Sequence, residues 1–170
     1  RILQSEPGRK QSYSPTANAY SKELERRLKD LSTRAPETYQ WGFLRATDWW
    51  VNFGFPGVAD TKYQEWMKSH PNDGAMFNRF AQYLTRYQKF QMADKAYQNW
   101  CAANKDDKDT RLVWAVFLEQ RYMQDRQNWG DGANKALALV QQATNNRSWD
   151  IAEHYKRIQD REKAIEFRSS

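Results

Sequence analysis

The chain has 170 residues, 39% of them apolar and 15% aromatic, and its 27 Lys or Arg against 21 Asp or Glu give a formal charge of +6. That length is about one domain's worth and the aromatics supply a sizeable core, whereas no apolar run approaches the roughly 18 residues of a membrane-spanning helix. Cys101 is the sole cysteine, which excludes an internal disulfide, a zinc ribbon and a redox pair.

The chain opens at Arg1 without a Met, which reads as a processed form or an excised piece. Residues 1–35 hold eight Lys or Arg against four Asp or Glu, and residues 1–15, with their Ser and Pro, read as a basic flexible arm able to touch phosphate or an acidic partner. Residues 16–170 read as one helical domain. Ser14-Pro15 or Thr16 caps a first helix to about Arg34, with Tyr20, Leu24, Leu28 and Leu31 on one face. Ala35-Pro36 stops it. A second helix runs from about Glu37 to Phe53, a turn follows at Gly54-Phe55-Pro56-Gly57, and a third runs from Val58 to Ser69. The cluster His70-Pro71-Asn72-Asp73-Gly74 is a firm break. A fourth helix from about Gly74 to Gln88 and a fifth from Phe90 to Ala103 repeat the pair. Asp109 or Thr110 opens a sixth to about Gln127, Gly130-Asp131-Gly132 turns the chain, and a seventh covers Ala133 to Thr144. The last runs from Ser148 to about Phe167. No segment alternates like a strand, so the expected class is all-α with about eight antiparallel helices.

Two stretches of this pattern are copies. Val58-Ala59-Asp60-x-x-Tyr63-Gln64-x-Trp66 returns 34 residues later as Met92-Ala93-Asp94-x-x-Tyr97-Gln98-x-Trp100, and Phe43, Trp50 and Phe53 map onto Phe77, Leu84 and Tyr87. A period in the thirties marks stacked helical repeats, each too small to bury its apolar face alone. The spacing resembles the tetratricopeptide repeat family, whose unit is a pair of antiparallel helices. Placing Phe43 at the family's position 4 puts Ala59 at 20, Tyr63 at 24 and Pro71 at 32; the second unit gives Phe77, Ala81 at position 8, Leu84, Ala93 and Tyr97. A third unit continues with Ala115 and Leu118 and resumes late at Ala133, Leu137 and Val140. The units fall at about 40–73, 74–107 and 108–146, with capping helices at 16–34 and 148–167. Trp66 and Trp100 depart from the family at position 27, where a small residue is usual, Thr47 takes the small position 8, and Lys105 replaces the common Pro. The resemblance is therefore to a divergent member.

What the resemblance implies is an α-solenoid whose first helices line a concave groove for a partner's peptide or helix. The groove positions are Trp41, Leu44, Arg45 and Asp48, then Asn78, Arg79, Gln82 and Arg86, then Leu112 and Val116, with Glu119 next in the third unit. The expected role is an adaptor or scaffold subunit of a larger assembly. Two alternatives are a nucleic-acid-associated subunit using the basic arm, and a helical accessory domain of a larger envelope or cell-wall enzyme.

Catalytic, cofactor and metal signatures are absent from the sequence: there is no HExxH, no Cys/His spacing and no glycine-rich phosphate loop. His70 and His154 stand alone and read as structural or surface residues, and Cys101 as a buried small apolar group. Among the tryptophans, Trp50, Trp66, Trp100 and Trp114 are expected in the core, while Trp41, Trp49 and Trp129 are candidate stacking platforms, Trp129 the most exposed of them.

Overall fold

In the computed structural model, which describes residues 14–160, Ser14 opens α1 (Pro15–Arg34) by accepting the Ala17 N–H on its Oγ at 3.1 Å. The chain divides into two compact units, residues 1–68 and 69–170. The first holds α1, α2 (Pro36–Asn52) and nearly all of α3 (Pro56–Ser69). Pro36 begins α2 at a position whose N–H would have no helical partner, so the ring breaks α1 without costing α2 a hydrogen bond. α1 then packs along α2. Gly42 permits the close approach, since a Cβ there would lie 2.5 Å from Leu31 Cδ2. Trp50, fully buried, donates its indole N–H to the buried Ser21 Oγ at 2.9 Å, which satisfies both polar groups in an apolar setting. Thr47, at the position where a small residue is usual, is also buried and donates its hydroxyl to the Leu44 carbonyl at 2.9 Å.

The second unit contains α4 (Gly74–Arg86), α5 (Phe90–Ala103), α6 (Lys108–Gln124), the single turn α7 (Arg126–Trp129), α8 (Gly132–Thr144) and α9 (Ser148–Arg157). Asp73 caps α4 by accepting the Met76 N–H, and Asp107, 34 residues on, caps α6 by accepting the Thr110 N–H, each at 3.0 Å. α5 packs on α4 and α6, and α6 makes its broadest contact with α8. Gly132 lies at that contact: a Cβ would meet the Leu118 carbonyl oxygen at 3.0 Å, and Ala115 and Ala136 are fully buried. α8 in turn carries α9.

Within each unit the repeated residues form the same aromatic cluster. Phe43 meets Tyr63 edge-on at 5.6 Å and Trp66 at 4.7 Å; Phe77 meets Tyr97 edge-on at 5.4 Å and Trp100 at 4.5 Å. Ala59 and Ala93 beside them are both 0% exposed, which is what the repeat register requires of a small packing position.

Five elements depart from the sequence expectation, the first being α3, which starts at Pro56 inside the expected turn rather than at Val58. The sixth helix starts at Lys108 with Asp107 as its cap, rather than at Asp109 or Thr110, because the Asp107 carboxylate reaches both the N–H and the hydroxyl of Thr110. It ends at Gln124 rather than Gln127, since Asp125 caps the separate turn α7 by accepting from Asn128. The described residues therefore hold nine helices where about eight were expected. α4 stops at Arg86, with Gln88 at φ 56°, and α9 stops at Arg157, with Gln159 at φ 64° turning the chain. The basic arm expected at 1–15 lies almost wholly outside the described residues, as does the segment 161–167 of the expected last helix. No described helix is long and apolar enough to cross a membrane.

Candidate partner-binding surface

The ten positions that the resemblance marks as a groove divide by helix. On α2, Phe43, Ala46, Thr47 and Trp50 form the buried face, so residues on the opposite side of the helix are left to solvent. Trp41, Arg45 and Asp48 lie there and are exposed, Trp41 to 65%, while Leu44 is half-buried at the edge. Arg45 lays its guanidinium over the Trp41 ring, 5.3 Å from the centroid.

α4 is the most sharply two-faced helix. Met76, Phe77, Phe80, Ala81, Tyr83 and Leu84 are buried, and at 100° per residue Asn78, Gln82, Arg86 and Arg79 fall on one continuous arc opposite them. All four are exposed. Arg86 reaches the neighbouring Tyr87 ring at 6.0 Å.

The corresponding row on α6 is less exposed. Leu112 and Val116 are half-buried, and Glu119, the next position of that row, is only 2% exposed. Its carboxylate is held by His154 Nδ1 at 2.7 Å and by the Arg157 guanidinium, both from α9. The expectation that this row faces a partner therefore fails at Glu119, because α9 covers it. His154, 1% exposed, is a buried partner of that carboxylate, while His70 is exposed and pairs its Nδ1 with Ser69 Oγ at 2.9 Å.

Sequence reasoning missed a concave feature of the first unit. An open groove of about 370 Å³ runs between α1 and α2, lined on one side by Tyr20, Leu24, Arg27, Leu28 and Leu31 and on the other by Trp41, Gly42, Arg45, Ala46 and Trp49. The sequence points to Trp41 and Arg45 as binding positions and to Trp49 as a stacking platform, but to Tyr20, Leu24, Leu28 and Leu31 only as one apolar face of a helix. The available signal was the spacing of Trp41, Arg45 and Trp49, four residues apart on one edge of α2.

The remaining aromatics are placed as follows. Trp50, Trp66 and Trp100 are buried as expected, and Trp114 is half-buried with its indole N–H on Asp94 Oδ1 at 2.7 Å. Trp129 is not the exposed platform expected: it is half-buried, edge-on to Phe117 at 5.8 Å, whereas Trp149 is 62% exposed. Cys101 is buried, and that burial pushes its thiol above the ordinary value, with Arg111 opposing and Asp107 reinforcing the shift. Among the described residues no cluster of three His, Cys, Asp or Glu is arranged to hold a metal ion.

No protein-family model matches the chain, and no curated protein matches it. Among solved structures it is similar to the crystal structure of MamA, with a TM-score of 0.50 and 13% sequence identity over 91% of this chain and 91% of that one. At that identity the likeness is one of fold, and it supports a tetratricopeptide-like helical fold.

Proposed function

We propose that the chain is a non-enzymatic protein-interaction module, an adaptor or scaffold subunit that binds a peptide or helix of a partner on the outward faces of its first helices. The observation that carries this reading is the α4 arc: Asn78, Arg79, Gln82 and Arg86 stand exposed on one side of a helix whose other side is core. Amides and guanidinium groups grouped this way suit the backbone and carboxylates of a peptide. A tetratricopeptide-like fold supports the same reading by analogy.

The test is affinity capture with the full chain, with the triple variant Asn78→Ala, Arg79→Ala, Gln82→Ala, and with a chain lacking residues 1–10. These three side chains lie off the core, so the triple variant keeps its helix content while losing most of the captured partner. Deleting the arm does little, and binding falls only mildly between 50 and 200 mM salt, about the range over which phosphate-driven binding collapses. If capture instead survives the triple variant and disappears with the arm, the basic segment is the functional element.

A further inference from the structure

We infer that the groove between α1 and α2 receives an amphipathic helical segment of a partner protein, which seats large apolar side chains in the groove and sets a carboxylate on Arg45. This rests on the interaction reading above and adds to the α4 arc a separate contact site with its own partner chemistry.

The exposed surface of the first unit is aromatic where it borders this groove. Tyr20 is 53% exposed and Phe53 60%, and both rings lie 4.8 Å from that of Trp49, which lines the groove; Trp41, at 65%, lines it further along. Large apolar groups gathered in one place at that exposure mark an interaction site, whereas single ones need no explanation. Their arrangement also sets the shape of what fits. Trp41, Arg45, Trp49 and Phe53 follow one another at intervals of four residues, a row of about 18 Å at 1.5 Å rise per residue. A docking helix that places side chains at i, i+4, i+7 and i+11 presents anchors over nearly the same length.

Charge decides the sign of the partner. The lining contains two arginines and no carboxylate. Arg27 is already paired with Glu23 at 2.8 Å, but among the described residues no carboxylate pairs with Arg45, which is only stacked on Trp41. A guanidinium held in place over an indole loses little freedom when a carboxylate reaches it, and a bidentate pair adds direction as well as energy.

Other ligand classes fit less well. A sugar or a nucleobase needs acceptors as well as donors converging on it, and beside the guanidinium and indole N–H donors of Arg27, Arg45, Trp41 and Trp49 the lining side chains offer one acceptor, the Tyr20 hydroxyl. A polyanion needs a field of unpaired cations, yet Arg26, Arg27 and Arg34 of α1 are tied to Glu23 and Asp30.

The probe is a displayed library of random 15-residue peptides selected on the full chain, with affinities of synthesised winners measured in solution. Enriched peptides are expected to carry apolar residues at helical spacing and at least one Asp or Glu. Trp41→Ala and Arg45→Glu each weaken them by about tenfold or more, and Arg45→Glu regains affinity for a winner whose acid is changed to Lys. Trp41 and Arg45 are exposed, so both variants keep the wild-type helix content, checked by circular dichroism. The triple variant on α4 leaves these peptides within about twofold of wild type, well short of a hot-spot loss. Winners that are basic or lack the helical pattern, winners indifferent to both α2 variants, or no enrichment at all overturn the assignment. Winners sensitive only to the α4 variant sink the groove while leaving the interaction reading intact.

Discussion

Trp100 occupies a position where tetratricopeptide units usually carry a small residue, and its surroundings explain how a large one is accommodated. The indole stacks on Phe77 at 4.5 Å and donates its N–H to Asp107 Oδ2 at 2.7 Å, so the same carboxylate that caps α6 also anchors the end of α5. Burial works to raise the Asp107 carboxyl, but hydrogen bonds from Thr110 and Trp100, with the nearby Arg111 charge, bring it below the ordinary carboxylate value. A carboxyl depressed in the folded state contributes stability that is complete above its unfolded value of about 3.9 and is lost as pH falls through the lower folded value. Thermal midpoints measured from pH 5 to pH 2 should therefore fall less steeply for Asp107→Asn than for the parent chain; equal slopes would remove the carboxylate from the account. Trp66→Ala and Trp100→Ala should each cost roughly 3–5 kcal/mol in denaturant unfolding, because a buried indole is replaced by a cavity. Unchanged midpoints would make the indoles surface groups. The burial of both tryptophans was legible in the repeat spacing; the Trp100–Asp107 bond was not, because spacing locates a residue on a helix and says nothing of which loop folds against it.

At the scale of the element, the helices and most of their ends follow from local chemistry: Pro15 and Pro36 at helix starts, and Asp73 at a cap. The failures were of two kinds. Asp125 interrupts a stretch with unbroken helical composition, and only its bond to the Asn128 N–H reveals the break before α7. Glu119 looks like one more groove position in α6, yet α9 buries it through His154 and Arg157, residues 35 and 38 positions away. Removing that carboxylate leaves its two partners unpaired, so Glu119→Ala should destabilise the second unit by about 3 kcal/mol, the low end for a broken buried pair, since Arg157 can turn to water. A loss under about 0.5 kcal/mol, the range of ordinary surface changes, would show that the cluster does not hold α9 in place. The contact of α6 with α8 offers a second test. Gly132→Ala pushes a methyl against the Leu118 carbonyl oxygen and Tyr122 Cβ, at 3.0 and 3.4 Å, and should cost about 1–3 kcal/mol as overpacking. A neutral or stabilising result would mean that α8 can shift freely on α6.

For the whole molecule, the all-helical class and the 34-residue register are legible in the sequence, since the register rests on identities at one offset and on the period of the apolar residues. Of the surface proposed for a partner, only the exposure of single positions was readable. Trp41, Arg45 and the α4 arc emerge because outward positions on an amphipathic helix follow from its inward ones, whereas the α1 wall of the groove belongs to a helix outside the repeat and is joined to α2 only by folding. The claim that the outward faces of α2 and α4 meet a partner is tested most directly by placing a photo-crosslinking side chain in turn at Lys10, Asp48, Arg79 and Lys156 of the full chain and irradiating living cells. The account predicts discrete protein adducts at Asp48 and Arg79 and none at Lys156, an exposed position on α9. Adducts confined to Lys10, with none at Asp48 or Arg79, would contradict it.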